Sequence, residues 1–336
     1  MSLGKSSGRW RRGWCASVLT TLSSNRVLKA LLPTLCLALV LVYGLADKLR
    51  NFVASVFIPQ YHFPYAVALC FAQVLVSISA LTLLHVLNVV PLRRYSRSLG
   101  EKMLVPSICS SIHAVLAMWA KANSSDIGLF PLLLPLLPLA TLGFSLSQKL
   151  ASSPSLHISA PISILGGTSF VVSGKKSRCY FEWELKVLRL YLTVSLFLIA
   201  ASQGLSGVGL LEYMYAPLAL ILHSLSLTFL AKASEAERRR RPPEAQASIF
   251  DIYYTQLVNQ SCVLGLLWLL HPQSPWLVLS HSNWQSLLFH GYLLAILLLG
   301  TLLDLLVGVS ALCVSPFAAA LLHSARQLAQ PLLQLL

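Results

Sequence analysis

The sequence predicts an all-α polytopic membrane protein, a bundle of about nine to ten transmembrane helices. Three observations carry that reading. Hydrophobic residues make up 56% of the chain and charged residues 11%, where a soluble domain carries about a quarter charged residues. Such a chain has too little charge to clothe itself in water. The apolar residues also fall in continuous blocks near the roughly 20 residues that cross hydrocarbon as a helix. Continuity, in place of alternation, selects helices over a barrel. Finally, the basic excess (25 Lys and Arg against 11 Asp and Glu) is gathered between the blocks, where it orients a membrane protein.

The elements follow in order. Residues 1–26 hold Lys5, Arg9, Arg11, Arg12 and Arg26 and no acidic residue, and read as a basic cytosolic tail. From 27 to 331 the chain is one transmembrane unit. Its expected spans are 28–46, 65–89, 103–121, 127–148, 187–205, 212–231, 249–270, 285–308 and 310–325. A further block, 155–173, contains Ser, Pro and Gly-Gly and is the least apolar. If it does not cross, Lys149, Lys175, Lys176, Arg178, Lys186, Lys232 and Arg238–Arg241 all join the tail and Arg93, Arg94, Arg97 and Lys102 on the cytosolic side. If it crosses, that charge bias disappears, so nine crossings are expected. Residues 232–248, with four arginines and Pro242-Pro243, read as a solvated cytosolic loop. Residues 332–336 are expected to stand at the start of a last helix.

Few residues advertise chemistry. No phosphate-cradling glycine loop, metalloprotease helix or nucleophile elbow is present, and no enzyme is expected. The seven cysteines are scattered without paired spacing, so neither disulfides nor zinc are indicated. His85, His113, His223, His290 and His323 fall singly within spans, and each reads as a hydrogen-bonded packing residue; no cofactor or metal is expected. No basic platform interleaved with aromatics suggests nucleic acid. Ionisable residues within spans point to function by default. Lys48 ends the first span and Arg326 the ninth; two cations facing one cavity would suit a phosphorylated solute. Asp304, late in the eighth span, reads as an internal ion pair or a neutral buried carboxyl.

Three stretches carry a resemblance. In residues 45–73, Lys48 follows Asp47 and Phe63-Pro64-Tyr65 precedes the second span. In residues 249–260, the pair Tyr253-Tyr254 is followed by Thr255 and Gln256. In residues 311–331, Val314-Ser315-Pro316 is followed by Arg326 and Gln327. Together they resemble the nucleotide-sugar and triose-phosphate transporters of the drug/metabolite transporter superfamily. Asp47 stands where that family has Asn, Thr255 and Gln256 where it has Asn-Asn, and Arg326-Gln327 where it has Lys-Arg.

The resemblance implies a bundle of ten helices in two inverted repeats, around a cavity that alternates between cytosol and Golgi or endoplasmic reticulum lumen. It further implies antiport of a nucleotide sugar against a nucleoside monophosphate. Lys48, Tyr253, Tyr254, Ser315, Arg326 and Gln327 would be the substrate-binding residues. The expected partners are those solutes and the lipid bilayer, with a homodimer left open. Two other readings stand beside it: a carrier of a smaller phosphorylated metabolite, and a transport-inactive relative that regulates another membrane protein.

Overall fold

The computed structural model describes residues 26–61, 65–123, 133–148, 150, 210–240, 247–270, 278, 280 and 284–324. The regular structure among them is entirely helical: α1 (Arg26–Tyr61), α2 (Ala66–Val86), α3 (Arg97–Lys102), α4 (Leu104–Asn123), α5 (Leu137–Ser147), α6 (Leu210–Arg240), α7 (Ile249–Leu270) and α8 (Leu287–Cys313). A ninth helix, α9, covers 316–324. The tail at 1–25, the block 155–173, the expected span 187–205, Arg326, Gln327 and residues 332–336 lie outside the described residues.

Among the described residues, three helical stretches are long and apolar enough to cross a membrane, namely Ala66–Val86, Met214–Arg239 and Leu287–Cys313. Their exteriors suit lipid. Leu83 in α2, Leu218 in α6, and Leu287, Leu288 and Leu294 in α8 face outward, while Ser77, Ser107, Ser111, Thr141, Ser224 and Thr228 are buried. In hydrocarbon, leucine gains nothing by turning inward, whereas small hydroxylated residues let helices approach and bond across the gap. Thr141 Oγ1 meets Ser224 Oγ at 2.7 Å between α5 and α6, and Ser77 Oγ donates to Thr301 Oγ1 at 3.1 Å between α2 and α8. Each such bond contributes only about 0.6 kcal/mol, so most of the cohesion comes from packing. Phe57 and Phe289, both fully buried, pack at 5.2 Å where α1 meets α8.

Helix α1 leans on α8, α2 lies between α7 and α8, and α4 packs against α6, α7 and α2. A compact polar corner locks α7 to the connection after α2. Ser248 and Asp251 cap α7 reciprocally: Asp251 N donates to Ser248 Oγ at 3.0 Å, and Ser248 N to Asp251 Oδ2 at 2.8 Å. Asp251 Oδ1 also accepts from Arg93 N at 2.7 Å. Nearby, Asn259 accepts from Tyr95 Oη at 3.0 Å and donates to the Gly100 carbonyl at 2.7 Å. A Cβ at position 100 would collide with the Tyr95 hydroxyl, so glycine is what lets α3 lie there.

Two expectations need correction. The loop expected from 232 is helical as far as Arg240, because Ala, Glu and Arg are strong helix formers. Its Glu237 is buried, not solvated, and accepts from Lys102 Nζ at 2.6 Å. The division between the last two expected spans also falls later than 308. Helix α8 runs to Cys313 and breaks at Val314-Ser315, because Pro316 has no N–H to continue the ladder. Ser315 Oγ then caps α9 by accepting from Ala318 N at 3.0 Å.

Candidate functional site: a polar cavity inside the bundle

Seven helices (α1, α2, α4, α6, α7, α8 and α9) contribute to a cavity of about 130 Å³. At one side Asp47 and Arg50 of α1 face Gln73 of α2 and Asp304 of α8; at another lie His113 of α4, His223 of α6 and His323 of α9. Tyr253, Gln256 and Gln260 of α7 complete the polar lining.

The charged side is a chain of hydrogen bonds. Arg50 Nη2 donates to Gln73 Oε1 at 2.7 Å, and Gln73 Nε2 donates to Asp304 Oδ2 at 2.5 Å. Asp304 is exposed, so it is not the buried carboxyl that was one of the two expectations for it. Glycine makes the arrangement possible. A Cβ on Gly300 would strike the Gln73 amide and approach Arg50 Nη2 to 3.0 Å, and one on Gly308 would come within 2.5 Å of the Tyr253 ring.

The helix phase of α1 explains which cation reaches the cavity. Tyr43, Ala46, Asp47, Val53, Ala54 and Phe57 are buried, and Arg50 lies on the same stripe. Lys48, about 100° further round from Asp47, is exposed and does not line the cavity. Of the other residues singled out by resemblance, Tyr253 is buried and lines the cavity. Tyr254 is half-buried and packs against the core. Ser315 is buried as the cap of α9. Arg326 and Gln327 are among the residues not described.

The histidines correct the sequence reading, since they do cluster. The His113 and His223 rings stack with centroids 4.1 Å apart, and His223 and His323 lie 4.6 Å apart. His113 Nδ1 sits 2.8 Å from the Ala219 carbonyl, and His323 Nδ1 is 3.0 Å from Tyr43 Oη. His223 is different: both of its ring nitrogens are buried with no hydrogen-bond partner. Ser111 Oγ and Gln256 Oε1, also on lining residues, are likewise unpartnered. Buried polar atoms are almost always bonded, so several exceptions around one cavity mark a place shaped for something polar.

Sequence reasoning missed Arg50, Gln73 and the histidine trio. A helical wheel of α1 carries the signal for Arg50. Nothing local signals the trio, whose members are separated by a hundred residues or more. No protein-family model and no curated protein matches the chain.

Proposed function

We propose that this chain is a secondary transporter, with the polar cavity as the place where its solute sits. The observation that supports this best is a lining of Arg50, Gln73, Gln256, Tyr253 and three histidines within a bundle whose outer faces carry leucine. Polar and irregular groups are tolerated at membrane depth where they line a cavity. In this reading the solute is anionic and meets Arg50, whose guanidinium offers a planar donor fork suited to phosphate oxygens, beside the carboxylates of Asp47 and Asp304 in the same lining. Release of Arg50 from Gln73 would present that fork to the solute.

In the fuller form of the proposal, the protein exchanges a nucleotide sugar for a nucleoside monophosphate across the Golgi membrane, or alternatively that of the endoplasmic reticulum. It has nine to ten crossings in inverted repeats and a cytosolic N-terminus. The resemblance at residues 45–73, 249–260 and 311–331 supports this form. The cavity volume favours a second form. At about 130 Å³ it lies well below the roughly 300–1,000 Å³ of pockets for drug-sized ligands, which suits a smaller phosphorylated metabolite.

Counterflow in proteoliposomes decides between them, using the purified chain and a panel of nucleotide sugars, nucleoside monophosphates and small phosphorylated metabolites. Exchange of any member supports transport, and the member chosen identifies the solute. Absence of exchange across the panel, from folded protein, refutes the carrier and leaves the regulatory relative. Glycosylation acceptors placed in 174–186 test the topology: efficient modification there would mean that 155–173 crosses.

A further inference from the structure

We propose that His113, His223 and His323 form a binding site for a divalent first-row transition metal, Zn²⁺ foremost. Each histidine comes from a different helix, α4, α6 and α9, and one ligand nitrogen from each lies within 4.8 Å of the others. Around a tetrahedral zinc with Zn–N bonds of about 2.0–2.1 Å, neighbouring nitrogens stand roughly 3.4 Å apart. Binding would require the stacked His113 and His223 rings to turn out of their stack and shift so that the lone pairs converge. Three imidazoles with one open position is an established zinc donor set, and the nitrogen-only donors disfavour Mg²⁺ and Ca²⁺, which take oxygen.

Packing histidines in this fold look otherwise. His85 Nδ1 accepts from Leu92 N at 3.1 Å, and His290 Nδ1 lies 2.9 Å from the Ser286 carbonyl. His223 is nine-tenths buried, and neither ring nitrogen has a partner. Leaving a buried polar atom unsatisfied costs about 1–3 kcal/mol; a metal would satisfy one of those two nitrogens. The neighbours already have the supports that metal-binding histidines need. Donation from His113 Nδ1–H to the Ala219 carbonyl fixes the tautomer that carries its lone pair on Nε2. Tyr43 Oη can hold His323 in the same tautomer. All three histidines line the cavity, so the fourth coordination position opens onto it, to water or to an anionic group. The site stands whether or not the chain transports.

The test uses the full chain in detergent, without a polyhistidine tag and stripped with chelator. Zn²⁺ alone is titrated by equilibrium dialysis with elemental analysis, and Co²⁺ by the visible absorption of a tetrahedral nitrogen site. Equimolar Zn²⁺ is expected. His223→Gln and His323→Gln should each weaken it by more than the about 100-fold upper end of losses from outer-shell changes, and Tyr43→Phe by about 10-fold. His290→Gln, away from the cluster, should leave binding unchanged. If His223→Gln does not fold, His323→Gln and Tyr43→Phe decide. Failure of the parent chain to bind Zn²⁺, or equal binding by His323→Gln and the parent, overturns the site. Neither outcome bears on exchange, so this proposal and the carrier can fail separately.

Discussion

Two polar clusters lie inside the same apolar bundle, and they differ in how completely their groups are paired. Around α3, Asp251 accepts from two backbone N–H groups, Asn259 both donates and accepts, and Lys102 meets Glu237 Oε2, leaving the Oε1 atom as the one buried oxygen of this corner that makes no hydrogen bond. Around the cavity, His223, Ser111 and Gln256 keep buried atoms without partners. A paired cluster rigidifies a fold, whereas an unpaired one costs stability and persists where something else uses it. The α3 corner therefore reads as architecture and the cavity as function, although both consist of the same residue types.

Breaking the architectural corner should give the largest effect on stability. Lys102→Ala removes the ammonium 2.6 Å from a carboxylate whose side chain is only 1% exposed. Removing one partner of a buried pair costs about 3–5 kcal/mol; Lys102 is itself 25% exposed, which places the loss at the lower end, about 3 kcal/mol. A lower midpoint of thermal unfolding in detergent, with unchanged exchange per folded molecule, is the expected outcome. Loss of exchange at full stability would put this corner in the transport machinery.

The cavity should respond the other way round. Arg50→Gln removes the charge that faces Gln73 while keeping a side chain able to hydrogen-bond. A hydrogen bond to a charged group is worth about 1.5–3 kcal/mol, so counterflow of an anionic solute should fall by roughly 10- to 150-fold with little change in thermal midpoint. Equal counterflow by the variant would show that the guanidinium does not meet the solute. Gly300→Ala is a gentler probe of the same place. Its methyl group displaces Gln73 and Arg50, so exchange should drop by about 10-fold, equivalent to about 1.4 kcal/mol. Replacing a mid-helix glycine favours the helix by roughly 0.5–1 kcal/mol, which offsets part of the cost of moving Gln73 and Arg50 aside, so the net change in stability should be small. A loss of stability as large as the loss of exchange would erase the distinction between the two clusters.

The sequence made the helices more legible than the site, for physical reasons. Apolar periodicity and length are local, so the expected span 249–270 coincides with α7, and 65–89 with α2 to within a few residues. Charge was misleading at 232–240, where helix propensity outweighed the polar composition and Glu237 found a partner far along the chain, on α3. The site depends on helix phase and long-range convergence. Arg50 is recoverable from the stripe through Tyr43, Asp47 and Phe57. His113, His223 and His323 are not, because each is a lone histidine in its own apolar block until three helices meet.

Lys48 supplies the smallest predicted effect and the sharpest comparison with its neighbour two residues on. The resemblance placed it at the substrate, but it is exposed, off the buried stripe of α1 and outside the cavity lining. Substitutions at such positions usually stay within about 0.5 kcal/mol, so Lys48→Gln should change counterflow by only about twofold. Run beside Arg50→Gln in the same proteoliposomes, the pair asks which cation the solute meets. If Lys48→Gln instead abolishes exchange while Arg50→Gln spares it, the solute meets Lys48, about 200° round α1 from Arg50, and the cavity lined by Arg50 is not its site.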